Sequence, residues 1–447
     1  MRLVVVGAGI AGLAAAGEAV ALAERAGIDL ELSVLEAGER AGGKVFTETV
    51  GDRYFEWGPD SFLASKPAAA EMARGLGLEL VEPSPRSRRA FVLRDGVLRT
   101  FPAGLAMGVH RGPASLAAAV RSGVVGPLGA LRAAIEPILP GGVPDAPVAK
   151  VTRRRLGRAW STGIVEPLVE GVYGARADAL GMAAAFPAFA GASSLTAAAR
   201  RIPRPREPVF LSVQGGLGRL IEGLVVGLPP GALLLRTGVR RIQREGSGLV
   251  LRTNGEDVPA DGVVLAVPAP QAAALLSTEA SGASATLETI RYSASAVFAL
   301  RYERGALGIP LDGAGYLVPR REGLAHAACT WFSAKWPMAG EDGDLLRAIV
   351  TAPESLSMDD TSIAERVASE VGAIMHAIRA PADLRLHRWN QALPMYEPGH
   401  LERMARAASA LPPDVALAGA SAGGVGLSDC IESGRRAASL LLSNAKR

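Results

Sequence analysis

The chain has 447 residues, 49% hydrophobic and 21% charged, an ordinary globular composition and long enough for two or three domains around large cores. Its 48 basic and 44 acidic residues leave a net charge of +4, too balanced to point to nucleic acid. The two cysteines, Cys329 and Cys430, stand far apart in neither a CxxC nor a CxxH arrangement, so neither a disulfide framework nor a structural zinc site follows.

Residues 2–43 read as one β-α-β unit. Leu3 to Val6 is a short apolar run suited to a strand buried on both faces of a parallel sheet. Ala11 to Arg25 is Ala/Leu-rich and helical, Gly27 falls at its C-terminus, and Leu30 to Leu35 is the second strand. This order predicts a doubly wound α/β sheet. Met1 runs straight into the first strand, which leaves no room for a signal sequence, and an intracellular, cytoplasmic protein is expected.

From Pro83 to Arg206 the segments turn Ala/Gly/Pro-rich and helical, with an arginine cluster, Arg153-Arg154-Arg155 and Arg158, read as a solvated helix face. The apolar stretch Pro113–Leu139 is interrupted by Arg121, Arg132, Glu136 and prolines. A spanning helix is therefore not expected, while peripheral membrane contact through an apolar helical surface stays open. A helix is expected to begin around Gly215, strands over Leu233–Arg252 and Asp261–Val267, mixed strands and helices over 285–385, and a closing strand at Val415–Gly419. One nucleotide-binding domain assembled from separated segments, with a second domain inserted, accounts for this pattern.

Val4-Val5-Val6-Gly7-Ala8-Gly9-Ile10-Ala11-Gly12 carries the chemistry of the first turn. Gly7 permits the tight turn, Gly9 lets backbone approach a pyrophosphate, and Gly12 lets helix pack on strand. The phosphates then meet the free N–H groups and positive dipole end of the helix. Glu36, ending the second strand, can accept hydrogen bonds from ribose hydroxyls. Strand, helix, second strand and acid together make this a dinucleotide site.

The stretch after the acid, Ala37-Gly38-Glu39-Arg40-Ala41-Gly42-Gly43-Lys44, resembles the flavoprotein oxidase group that contains monoamine oxidases, phytoene desaturases and porphyrinogen oxidases. In that group an Arg-x-Gly-Gly loop wraps the pyrophosphate side of FAD. Phe55-Glu56-Trp57-Gly58-Pro59-Asp60-Ser61-Phe62-Leu63, Ile164–Gly174 with Phe186-Pro187, Cys329-Thr330-Trp331 with Lys335-Trp336-Pro337, Arg388-Trp389, Pro394–His400 and Gly419–Cys430 narrow the match. Together they span nearly the whole chain in order and resemble the bacterial coproporphyrinogen III and protoporphyrinogen IX oxidases.

The resemblance implies an α/β fold: a Rossmann-type FAD-binding domain from discontinuous segments (1–82, 207–275, 386–447), an inserted α+β substrate domain (276–385), and a helical substrate- or membrane-associated subdomain (83–206). It implies FAD held without a covalent bond by Gly7, Ala8, Gly9, Ile10, Ala11, Gly12, Glu36, Ala37, Arg40, Gly43 and Lys44. Gly58, Pro59, Asp60 and Ser61 would lie near the isoalloxazine, Val239 would face the adenine, and Trp389, Val425, Gly426 and Leu427 would close over the flavin. Lys66 stands out as a propionate partner, and Gly171 and Val172 as contacts to the macrocycle. Cys430 is then a buried, inert thiol, and His400, alone of the five histidines in a family-like motif, is structural.

The implied reaction is a six-electron porphyrinogen oxidation with O2 as acceptor, three H2O2 released and the porphyrin handed to a chelatase. It needs no catalytic side chain and no metal, since the flavin carries the chemistry. Mitochondrial-type enzymes place an arginine just before the aromatic of the strand Phe91-Val92-Leu93, where this chain has Ala90, with Arg88 and Arg89 ahead of it. That departure leans toward coproporphyrinogen III, with Arg89 the remaining candidate at this position. Two rivals share the fold. An amine oxidase would want a lysine on the strand Tyr292–Leu300, which has none, and a non-catalytic binding protein would not keep the glycines and Glu36. Oligomeric state is not legible.

Overall fold

The computed structural model describes residues 1–204, 208–246, 248–336 and 343–444. The apolar strand Arg2–Val6 takes the centre of a five-stranded parallel sheet, ordered Leu233–Leu234, Glu31–Leu35, Arg2–Val6, Gly262–Leu265, Val415–Leu417. Alternation sends Leu3, Val5, Val34 and Val264 to one core and Val4, Val6, Leu35 and Val263 to another. The first core is closed by helices Ile10–Ala26 and Leu427–Asn444, the second by the three-stranded antiparallel unit Val239–Ala260 and helices Ala269–Leu276 and Ser281–Glu288. Gly27 ends the first helix in the left-handed conformation, as its position in the sequence predicts.

A seven-stranded mixed sheet forms the second layer system, ordered Asp383–Trp389, Ser295–Tyr302, Asp344–Val350, His326–Trp331, Gly315–Leu317, Phe91–Arg94, Val97–Thr100. Helix Asp360–Ile374 covers the face that carries Phe298, Leu300, Ala348 and Val350. The opposite face, with Val297, Ala299 and Leu345, packs on the hairpin Thr47–Val50/Arg53–Glu56 through Phe55, Trp57, Phe332 and Trp336. This contact holds the hairpin on the seven-stranded sheet.

Two of the expected segment limits run through this sheet. Strands Phe91–Arg94 and Val97–Thr100 lie inside the segment taken as helical, and helices take over only from Pro113. Strand Asp383–Trp389 spans the 385/386 limit and pairs along its length with Ser295–Arg301. Arg206 and Glu207, at the 206/207 limit, and Pro337 of the Lys335-Trp336-Pro337 motif lie outside the described residues.

The arginine cluster is not one solvated face. Arg155 is buried, its Nε 2.6 Å from Oε1 of the fully buried Glu136, with further bonds to the carbonyls of Gly141 and Ser193. Arg153, exposed like Arg154 and Arg158, forms a two-pronged pair with Glu166 at 2.8 and 2.6 Å. Helical packing places residue 155 inward and 154 outward, a distinction invisible in a run of identical residues.

Candidate active site

The first turn is shaped by contacts that only glycine allows. Gly7 has φ +100°, and a Cβ there would lie 2.8 Å from the Ala266 carbonyl oxygen. A Cβ on Gly12 would lie 1.9 Å from the Gly7 oxygen. Among the described residues the only atom within 4 Å of a Cβ added at Gly9 is the Gly43 Cα, at 4.0 Å, so a cradle is left open there. The Gly42–Gly43 turn faces it, with Gly42 N–H donating to the Ala8 carbonyl at 2.8 Å.

Glu36 locks these two loops together. Its Oε2 accepts from Ala8 N–H at 2.9 Å and its Oε1 from Gly38 N–H at 2.8 Å. Each carboxylate oxygen keeps a second lone pair for a ribose hydroxyl. Arg40 turns back on its own loop, donating to the carbonyls of Ala41, Gly43 and Val45 and lying 4.0 Å from the Phe46 ring centroid. The arginine therefore builds the Gly-Gly turn. Lys44 is half-buried, and burial lowers its ammonium below the usual lysine range. Among the described residues no carboxylate pairs with it, and it stands 5.9 Å from the Tyr292 ring centroid. An open glycine cradle at a helix N-terminus beside an unmatched ammonium fits a pyrophosphate. FAD is the group these residues would hold.

Gly238 lies against the same loop, while Val239 packs on the core that holds Val6 and Leu35. Thr237 N–H donates to the Glu36 carbonyl at 2.8 Å, and a Cβ on Gly238 would meet the Ala37 side chain at 3.7 Å. At the other end, Gly424 has φ +126°, and Gly426 and Leu427 lead into the helix Leu427–Asn444. Val425 packs toward the helical subdomain. Cys430 lies beneath this turn, its thiol donating to the Gly424 carbonyl at 3.4 Å and pushed up to about 12 by burial, as an inert thiol should be.

The segment Trp57–Ser61 is pinned from the seven-stranded sheet. Trp389 Nε1 donates to the Trp57 carbonyl at 2.9 Å, and Arg347 Nη2 to the Gly58 carbonyl. Lys335 Nζ lies 2.7 Å from Asp60 Oδ2, and Ser61 Oγ donates to Asp60 Oδ1 at 2.8 Å. Gly58 itself is pressed against the Lys44 backbone, an added Cβ falling 1.7 Å from that carbonyl oxygen. Burial by itself would raise the Asp60 carboxyl, but Lys335 and Arg347 outweigh it and hold it well below the usual carboxylate range. Glu56 is its opposite. Burial pushes it up to about 8, against hydrogen bonds from Leu217 N–H and Thr47 Oγ1.

The four residues proposed for the substrate are not equally placed. Lys66 stands at the start of helix Pro67–Gly75 and ion-pairs with Asp429, beside the Gly424–Gly426 turn. Val172 is exposed on helix Glu166–Tyr173. Gly171 faces the sheet, where an added Cβ would meet Leu317 Cδ2 at 2.7 Å, so its smallness serves helix-on-sheet packing. Arg89 is turned to Asp312, with which it forms a half-exposed ion pair. His400 is buried, stacked on Tyr396 and bonded to the Ser421 carbonyl at 3.0 Å, a structural role.

Sequence reasoning missed Arg347 and gave Lys335 no role. A single arginine inside the apolar strand Asp344-Leu-Leu-Arg-Ala-Ile-Val was the available signal. It also missed Gly434, where an added Cβ would lie 2.1 Å from the Ala11 carbonyl oxygen, the closest approach of the two helices that flank the cradle.

Residues 10–442 match the family described as flavin-containing amine oxidoreductase. The coproporphyrinogen III oxidase of Bacillus subtilis (strain 168) is 30% identical over 461 residues, 98% of this chain and 97% of that protein. That of Mycobacterium leprae (strain TN) is 31% identical, covering 99% of this chain and 98% of the relative. A crystal structure from Exiguobacterium sp. 255-15, named as a protoporphyrinogen oxidase, matches with a TM-score of 0.87 at 31% identity, over 100% of this chain and 99% of that one.

Proposed function

The chain belongs to the flavin-containing amine oxidoreductase family, and from that membership we propose that it is an FAD- and O2-dependent porphyrinogen oxidase of heme biosynthesis. The substrate is coproporphyrinogen III, protoporphyrinogen IX or both. The observation that carries this reading is the similarity, over nearly the whole chain, to relatives named coproporphyrinogen III oxidase. The surface pairing of Arg89 with Asp312 supports coproporphyrinogen III, because no arginine then takes the place of Ala90. An amine oxidase gains no support, since strand Ser295–Tyr302 turns Val297 and Ala299, not a lysine, toward Trp57.

Bound FAD supplies two-electron acceptance, so one porphyrinogen and three O2 give one porphyrin and three H2O2. The chain's part is to bind and orient. The Gly7–Gly12 turn, Glu36 and Lys44 hold the dinucleotide. Trp57–Ser61 is fixed from the sheet, and Lys66 and Val172 are the substrate contacts. No side chain has to act as nucleophile, because a pyrrole nitrogen assists loss of hydride from the neighbouring carbon. Positioning and exclusion of water are what the protein contributes.

Among the described residues no helix is long and apolar enough to cross a membrane. Leu128, Leu131 and Ile138 are 84%, 64% and 81% exposed, with Ile135 beside them, and this ridge supports peripheral membrane contact. The porphyrin released there is available for handover to a chelatase.

The test is a fluorescence assay with each porphyrinogen, in air and under nitrogen with alternative acceptors, alongside H2O2 detection. Porphyrin fluorescence should rise in air with H2O2. A flavin-loaded protein that converts neither porphyrinogen under any acceptor would overturn the assignment.

A further inference from the structure

A buried ion cluster lies directly behind Trp57–Ser61. Lys335 and Arg347 supply two cations against the carboxylate of Asp60, and Glu56 keeps its proton near neutral pH because burial pushes it up to about 8. The guanidinium stays charged in a buried site. Two cations thus converge on the one carboxylate and the one carbonyl of this segment that they reach, Asp60 and Gly58. These cations have little access to water: the Lys335 side chain is 15% exposed and lies beside Phe210 and Trp336, 5.6 and 5.0 Å from their ring centroids, and Arg347 is buried on an otherwise apolar strand, its Nε without a hydrogen-bond partner among the described residues. A fold that needed only to fill this space would use apolar residues, since taking charged groups out of water is costly.

We propose that Lys335 and Arg347 are positioning residues for the flavin: they clamp the Asp60 carboxylate and the Gly58 carbonyl beside its ring and hold there two fixed cations that favour the reduced cofactor. The inference rests on the reading that Gly58–Ser61 face the isoalloxazine. Reduction adds negative charge to that ring, and a fixed cation in a low-dielectric setting stabilises it without reorganisation. Charge near the ring is one of the means by which a protein tunes a flavin.

The sign of the effect separates this role from a merely structural one. The midpoint potential of bound FAD is measured spectroscopically, without porphyrinogen, in the wild-type protein and in Lys335→Met, Lys335→Arg and Asp60→Asn. Lys335→Met should shift the potential to more negative values and Lys335→Arg should bring it back. Asp60→Asn, nearly isosteric, should shift it to more positive values. Thermal melts and the ratio of flavin to protein absorbance show which variants are folded and loaded. If Lys335→Met does not fold, the direction of the Asp60→Asn shift decides alone. Unchanged potentials, or shifts of both charge-removing variants in one direction, would overturn the inference. Because no porphyrinogen enters the measurement, the substrate assignment can fail while this result stands, and the reverse.

Discussion

The ammonium of Lys66 lies 2.6 Å from Oδ1 and 2.7 Å from Oδ2 of Asp429, tying the start of one helix to the first turn of another 363 residues away. Ser428 Oγ reinforces the link by donating to the Lys66 carbonyl at 2.8 Å. The lysine is 46% exposed and the aspartate 19%, so the ammonium keeps an open side, where the proposed substrate carboxylate would bind. Lys66→Ala should raise KM several-fold with a smaller change in kcat. Stability should fall by no more than about 1 kcal/mol, as for exposed pairs. Steady-state kinetics with a porphyrinogen checks the first, and a loss confined to kcat would remove Lys66 from the substrate.

Gly434 and Gly17 form a matched pair for testing helix packing. Gly434→Ala puts a methyl 2.1 Å from the Ala11 oxygen, whereas, apart from its own helix backbone, no atom of the described residues lies within 4 Å of a Cβ on Gly17. The first should cost at least about 1–3 kcal/mol and lower flavin occupancy, since it pushes away the helix whose N-terminus meets the phosphates. Gly17→Ala should be neutral or stabilising by up to about 1 kcal/mol. Thermal melts and absorbance ratios of the two variants give the comparison.

Glu136 is fully buried and accepts from Arg155 Nε, Ser194 Oγ and the N–H groups of Leu195 and Thr196. Arg155→Met leaves that carboxylate without its cation and should destabilise by about 3–5 kcal/mol. Burial would raise Glu136, but these donors outweigh it and lower it. Its contribution is thus present above the ordinary carboxylate range and lost as pH falls through the folded value. Chemical denaturation at several pH values should show wild type and Glu136→Gln converging in acid.

Glu56 titrates with the opposite sign. Its carboxyl is raised from 4.5 to about 8, so between these values the folded chain binds the proton that the unfolded chain has released. Its contribution is full below pH 4.5 and falls as pH rises through about 8. Facing it are Thr47, Leu217 N–H, Asp60 and Arg347. Glu56→Gln should flatten the loss of stability between pH 4.5 and about 8, by on the order of a few kcal/mol at most. Parallel slopes for the two proteins in that window would show that Glu56 ionises elsewhere.

The exposed ridge Leu128, Leu131, Ile138 predicts partition onto lipid. Co-sedimentation with anionic vesicles should fall when all three are changed to serine, with activity on detergent-dispersed substrate retained. Equal sedimentation of both proteins would mean that the ridge does not carry membrane contact.

Much of the cofactor domain was legible because its signals are local. Gly7, Gly9 and Gly12 are read from spacing, Glu36 from its place at a strand end, and Gly27 from the end of a helical run. Each depends on backbone geometry within one turn or one strand. The arginine run 153–155 was misread for the same reason: composition is local, but which of three adjacent arginines points inward depends on what packs against the helix.

By itself, then, the sequence determined a βαβ dinucleotide cradle, the strands that complete its sheet and, through motifs along the whole chain, the flavoprotein group it resembles. Tertiary structure alone decided the rest: that Arg40 builds its loop, that Lys66 meets Asp429, that Gly171 serves packing and that Arg89 pairs with Asp312. It also decided that Lys335 and Arg347 converge on Gly58–Ser61. These pairings join residues far apart in the chain, and their energies come from burial and Coulomb attraction at distances that only the folded backbone sets.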